Sequence, residues 1–90
     1  MAEDALLDER EVAILRWRSR RGLVENDLFI ERFFNRHGAQ LRASQARAVT
    51  MLMNLSDNDL LDLLLVRKEP EGEIATDDVR AVLKLLRERA

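Results

Sequence analysis

Four arginines stand within six residues, Arg16, Arg18, Arg20 and Arg21, with no acid among them. Such a run could track the phosphates of a nucleic acid, or fork bidentately onto carboxylates of another protein. At about 100° per residue a helix divides the run. Arg18 and Arg21 fall on the side of Leu7 and Ile14, while Arg16 and Arg20 fall opposite and read as a solvated helix end. A small, divided patch on a chain of net charge −2 suits a polyanion poorly. Arg18 and Arg21 therefore read as candidates for protein recognition.

The acidic residues offer less chemistry. Glu25 and Asp27 lie two residues apart, so on a helix they point about 200° from each other and cannot share one acid–base site. Glu25 also suits a capping position, and Asp27 suits the positive end of a helix. Asp57, Asp59 and Asp62 have some of the look of a calcium loop. The positions that would need Gly and Glu hold Asp62 and Lys68, so capping is the better reading. His37, the only histidine, has no Ser, Cys or second His at informative spacing and reads as a favourable helix-end charge. There is no cysteine, no phosphate-binding glycine loop and no dinucleotide fingerprint. Residue by residue, the chain lacks the equipment of an enzyme, and no metal site is expected.

The elements that must position these residues read as helices throughout. Period-2 alternation is absent, and Leu, Ala, Arg, Glu and Asp dominate. The predicted fold is all-α, a compact bundle of five short helices in a single domain over residues 1–90. The helices are placed at about 8–20, 23–37, 44–54, 57–67 and 77–89. In the first, Leu7, Ile14 and Trp17 share one side, with Val12 and Leu15 on a neighbouring arc; Trp17 is assigned to the core. Gly22 ends that helix or caps the next, where Phe29, Ile30, Phe33 and Phe34 form an apolar arc. Gly38 separates the second helix from the third. Ser44 is the expected N-cap of the third helix, with Val49, Leu52 and Met53 inward. Ser56 caps the fourth, which is apolar almost all round from Leu60 to Val66 and should be the most central. Glu69-Pro70-Glu71-Gly72 is a turn. Thr76 caps the fifth, whose buried stripe is Val79, Val82, Leu83 and Leu86.

Ninety residues make one small domain with a thin stability margin. Apolar content of 47% supports one core, and charged content of 36% a well-solvated surface. Residues 57–78 carry eight acids against Arg67 and Lys68, so the chain has two electrostatically different faces. The acidic start, Met1-Ala2-Glu3-Asp4, does not read as a signal or transit peptide. No apolar run approaches the roughly 20 residues of a membrane span. A cytoplasmic protein without membrane insertion is the expectation.

At residues 18–34 the chain resembles the succinate dehydrogenase FAD assembly factor family, SdhE in bacteria. The family's R-G-x-x-E-x-D core has its counterpart in Arg21, Gly22, Glu25 and Asp27, preceded by basic and aromatic residues and followed by Leu28 and Phe33. Leu55 to Leu65, LSDNDLLDLLL, is similar to the family's L-x-D-x-D-L segment through Asp57, Asp59 and Leu60. The resemblance covers about residues 8–88. One departure is the absence of the Trp that some members carry in the fourth helix.

The resemblance implies an accessory factor, not an enzyme. It would bind the flavoprotein subunit of succinate dehydrogenase, or of fumarate reductase, and promote covalent attachment of FAD to a histidine of that subunit. No cofactor would be held permanently; the FAD belongs to the partner. Arg18, Arg21, Gly22, Glu25 and Asp27 are the partner-binding candidates, with no catalytic residue and no nucleic acid involved. Gly22 would permit close backbone approach, Arg21 would pair with a partner acid or carbonyl, and Glu25 would accept from partner donors. Two alternatives are a general helical adaptor using the same Arg-Gly corner and a small nucleic-acid-binding helical domain.

Overall fold

A computed structural model describes residues 4–19 and 24–88. Among them the helices are α1 (Glu9–Arg18), α2 (Val24–His37), α3 (Ala43–Met53), α4 (Asp57–Leu64) and α5 (Asp77–Leu86), with 3-10 turns at Gly38–Gln40 and Gly72–Ile74. The fold is all-α, and no strand occurs among the described residues. Among the described residues one antiparallel bridge joins Leu6 to Arg42.

Helix ends follow from short-range capping. Asp8 precedes α1 rather than lying in its first turn. Its carboxylate accepts the Glu11 N–H at 2.7 Å, and Glu11 returns the bond to the Asp8 N–H at 3.0 Å. This reciprocal box satisfies two otherwise orphaned donors. Ser56 and Thr76 cap α4 and α5 as expected, accepting from the N–H groups of Asp59 and Val79. Gly72 takes φ +64, the left-handed geometry that the turn after Pro70 requires and that glycine adopts without penalty.

The start of α3 corrects the expected cap. Ser44 lies inside the helix, which begins at Ala43. Its N–H and hydroxyl both donate to the Asp4 carboxylate, at 2.8 and 2.6 Å. Arg42 holds the N-cap position, and the acceptor for Ser44 comes from 40 residues away. The N-terminal segment runs alongside residues 41–43, with Leu7 N–H on the Leu41 carbonyl at 2.8 Å and Ala43 N–H on the Ala5 carbonyl at 2.9 Å. These bonds hold Asp4 over the helix end. The Ser44 hydroxyl first, then the backbone bond and the charges of Arg42 and Arg47, keep the Asp4 carboxyl below the usual aspartate range.

The core draws on every helix except α1. Ile30, Phe33 and Phe34 come from α2, Ala48, Val49 and Leu52 from α3, Leu60, Leu63 and Leu64 from α4, and the whole expected stripe of α5 is buried. Phe33 and Phe34 meet edge to face, centroids 5.2 Å apart. Each large apolar side chain buried here contributes about 1.5–3 kcal/mol. The most extensive helix pair is α3 against α5, not one involving α4. That helix has only eight residues and stops three residues short of its expected end. Leu65 and Val66 are exposed, because the chain turns there. Val66 takes φ +61, its N–H bonds the Leu63 carbonyl, and the Arg67 N–H bonds that of Asp62. This is a Schellman termination with a β-branched residue at the position that glycine usually holds.

Helix α1 contains no fully buried residue. Val12 and Leu15 pack against the core from outside, while Ile14 is 44% and Trp17 74% exposed. The assignment of Trp17 to the core is thus overturned. The reason is the side on which α1 docks. Val12 fits over Gly38, where an added Cβ would stand 3.4 Å from its Cγ1. Docking there turns the Ile14–Trp17 arc away from the bundle. Arg16 is likewise only partly solvated. Its guanidinium reaches Glu31 at 2.5 Å and Asn35 at 2.9 Å on α2, clasping α1 to its neighbour.

Candidate docking site

Of the expected recognition residues, Arg18 lies at the end of α1, and Glu25 and Asp27 lie at the start of α2. Ser19 closes α1. Its N–H bonds the Leu15 carbonyl at 3.0 Å, and its buried hydroxyl donates to the same oxygen at 2.8 Å. Just before it, Arg18 is exposed. Arg21 and Gly22, with the predicted helix-ending role of Gly22, lie outside the described residues, as does Arg20. In the first turn of α2 Glu25 is exposed, Asp27 is half-buried and Leu28 is 55% exposed.

Between the two acids sits a residue that the motif reasoning passed over. Asn26 is fully buried, and its Nδ2 donates to the Asp57 carbonyl at 3.2 Å. This bond ties the start of α2 to the first residue of α4. With Asn26 pointing inward, Glu25 and Asp27 are carried to either side of it. A signal was available: Asn26 stands four residues before Ile30 and seven before Phe33, on the buried arc of α2. Among the described residues the Asn26 Oδ1 has no hydrogen-bond partner.

Arg18 also lines a groove of about 510 Å³ between α1 and α3. Leu7, Ile14 and Leu15 form one wall, and Thr50 and Met53 the other. The arrangement offers a forked donor, an acidic acceptor and exposed apolar area around two helix ends. Those are means of binding a protein surface. Among the described residues no group of three or more His, Cys, Asp or Glu side chains could hold a metal ion. Asp59 instead meets Lys68 at 3.1 Å and Asp62 meets Arg67 at 3.5 Å. His37 packs its ring on Phe33 and bonds Glu88. No helix of the described residues is long and apolar enough to cross a membrane.

The chain is similar to proteins of one known family. The family described as flavinator of succinate dehydrogenase matches residues 13–90. The chain belongs to that family. A FAD assembly factor SdhE of Ralstonia nicotianae is 56% identical over 80 residues, covering 89% of this chain and 84% of its own length. One of Legionella pneumophila is 34% identical over 68 residues, 76% of this chain and 86% of its own. One of Pseudomonas aeruginosa is 29% identical over 84 residues, 93% and 95% of the two chains. No solved structure matches. These relatives are named as assembly factors and not as enzymes, and this flavinator-family member is likewise an accessory protein. The match spans all five candidate residues, from Arg18 to Asp27.

Proposed function

We propose that this protein binds the flavoprotein subunit of succinate dehydrogenase in the cytoplasm and promotes covalent attachment of FAD to it. The related subunit of fumarate reductase is a second client. The docking surface comprises Arg18, Arg21, Gly22, Glu25 and Asp27. The observation that supports this reading most is the family match over residues 13–90. The exposed placement of Arg18 and Glu25 at consecutive helix ends agrees with it.

The mechanism is proximity supplied in trans. The acceptor histidine and the FAD both belong to the client, and this protein holds no cofactor of its own. Docking favours the client conformation in which flavin and histidine are aligned, so the reaction no longer waits on a rare arrangement. Arg18 and Arg21 fork onto client acids or carbonyls, and Glu25 accepts from client donors. Gly22 lets the two backbones approach closely. Asp27, half-buried beside Asn26, serves at the edge of the contact.

Co-expression with a succinate dehydrogenase flavoprotein subunit tests the reading. Covalent flavin is read as fluorescence of the subunit in a denaturing gel. The expected result is strong labelling with the wild-type chain and clear loss with Gly22→Arg or Glu25→Ala. Equal labelling in every lane, including one without the chain, would sink it.

A further inference from the structure

The α1–α3 groove and the exposed arc beside it are left unexplained by folding. Ile14 lines the groove and is 44% exposed, and Trp17, one turn further along the same side of α1, is 74% exposed. Scattered apolar residues on a surface need no explanation, but a Trp, an Ile and an apolar groove in one place do. Trp and Arg are the side chains that most often carry the energy of protein interfaces. Here they are neighbours in sequence, Trp17 and Arg18, and Arg18 lines the apolar groove. The groove has two charged lining residues, Glu11 and Arg18. Glu11 accepts the Asp8 N–H in the α1 cap, which ties its carboxylate to the helix start, and Arg18 is the positive charge that the groove presents to an incoming group.

We infer that the groove between α1 and α3, with Ile14 and Trp17 at its side, seats an apolar segment of the client flavoprotein whose acidic residue pairs with Arg18. This rests on the proposed function and extends its surface from the α1–α2 corner along α1 to Thr50 and Met53. Arg18 belongs to both areas, so the two are continuous. The groove supplies apolar burial, and the corner supplies polar register. This is the division between a dry centre and a polar rim found in stable interfaces.

The test uses the full chain and the intact flavoprotein subunit. Trp17 is the only Trp, so incorporating fluorotryptophan gives one fluorine NMR signal that reports on this patch alone. Adding unlabelled subunit should shift it. Ile14→Asp and Thr50→Arg, placed on opposite groove walls, should each weaken binding about tenfold or more and reduce flavin attachment. Arg80→Ala, at an exposed position of α5, should change neither. Circular dichroism and melting confirm that the variants fold, and agreement of the two walls guards against loss of one helix. Wild-type binding by both groove variants, with Gly22→Arg still defective, overturns the inference and leaves the proposed function standing. Failure of the wild-type chain to bind the subunit overturns both. A dimer of the free chain that Ile14→Asp abolishes would assign the groove to a second copy and overturn the inference alone.

Discussion

The Nε2 of His37, at the end of α2, stands 2.7 Å from the carboxylate of Glu88, just beyond α5. Arg36 approaches the same oxygen at 3.7 Å. The His37 bond first, with the charges of His37 and Arg36 behind it, holds the Glu88 carboxyl below its ordinary value of 4.5. A group depressed on folding contributes stability that is fully present above its unfolded value. That stability is lost as pH falls through the lower folded value. Unfolding measured by denaturant from pH 7 to 3 should show the wild-type chain losing stability below about pH 4.5. Glu88→Gln should lose less over the same interval. Asp4 and Asp59 are depressed too, so the slope should be reduced, not abolished. Parallel curves for the two proteins would refute the link.

Arg87 closes the end of α4 from across the bundle. Its Nε donates to the Leu63 carbonyl at 2.8 Å, and its guanidinium reaches the Glu69 carboxylate at 3.4 Å. The side chain is largely sheltered, 21% exposed. Hydrogen bonds from a charged donor contribute about 1.5–3 kcal/mol, and the distant Glu69 contact adds little. Arg87→Ala should lower unfolding free energy by about 2 kcal/mol in urea titration. Arg87→Met, which keeps the packing stem, should recover only part of it. Full recovery by Met would mean that the stem, not the guanidinium, matters.

What could be read in advance was what is decided within a few residues. Ser56 and Thr76 capped as expected because their partners lie three residues on. The stripe of α5 was legible because Val79, Val82, Leu83 and Leu86 repeat at helical spacing with no competitor. Trp17 was misplaced because α1 carries two apolar arcs, and sequence periodicity cannot choose between them. The choice is made by Gly38, more than 20 residues on, whose missing side chain admits Val12. Asp4 over Ser44 and Arg16 on Glu31 are likewise contacts across long separations. At the candidate site, Arg18 and Glu25 were legible as exposed charges. Asn26 is legible only as a polar residue on a buried arc; its partner, the Asp57 carbonyl, lies 31 residues on.

The clasp between α1 and α2 should matter less than its geometry suggests. Arg16 and Glu31 stand 2.5 Å apart, yet both side chains keep more than a third of their surface in water. Exposed pairs of this kind couple by about 0.2–1 kcal/mol. A double-mutant cycle of Arg16→Ala and Glu31→Ala should give a coupling in that range that falls at high salt. Arg16→Ala alone should cost somewhat more, since the Asn35 bond and the packed stem go with it. A coupling that is large and insensitive to salt would show that the pair is shielded from solvent.

Val66 carries backbone strain that a substitution can relieve. Its φ of +61 places a β-branched residue where the Cβ crowds its own carbonyl, a cost of about 1–2 kcal/mol. The side chain offsets little of this, being 59% exposed. Glycine adopts this geometry freely but loses more entropy on folding, so part of the gain is returned. Val66→Gly should therefore raise stability by about 1 kcal/mol, and Asn, which tolerates the left-handed region, by less. Ala, with a Cβ but no branching, separates the two effects: it should fall between Val and Gly if strain dominates. A ranking of Val above Ala above Gly would show that Val66 packs usefully at the end of α4. The Schellman bonds of Val66 and Arg67 would then be held by that packing in spite of the strain.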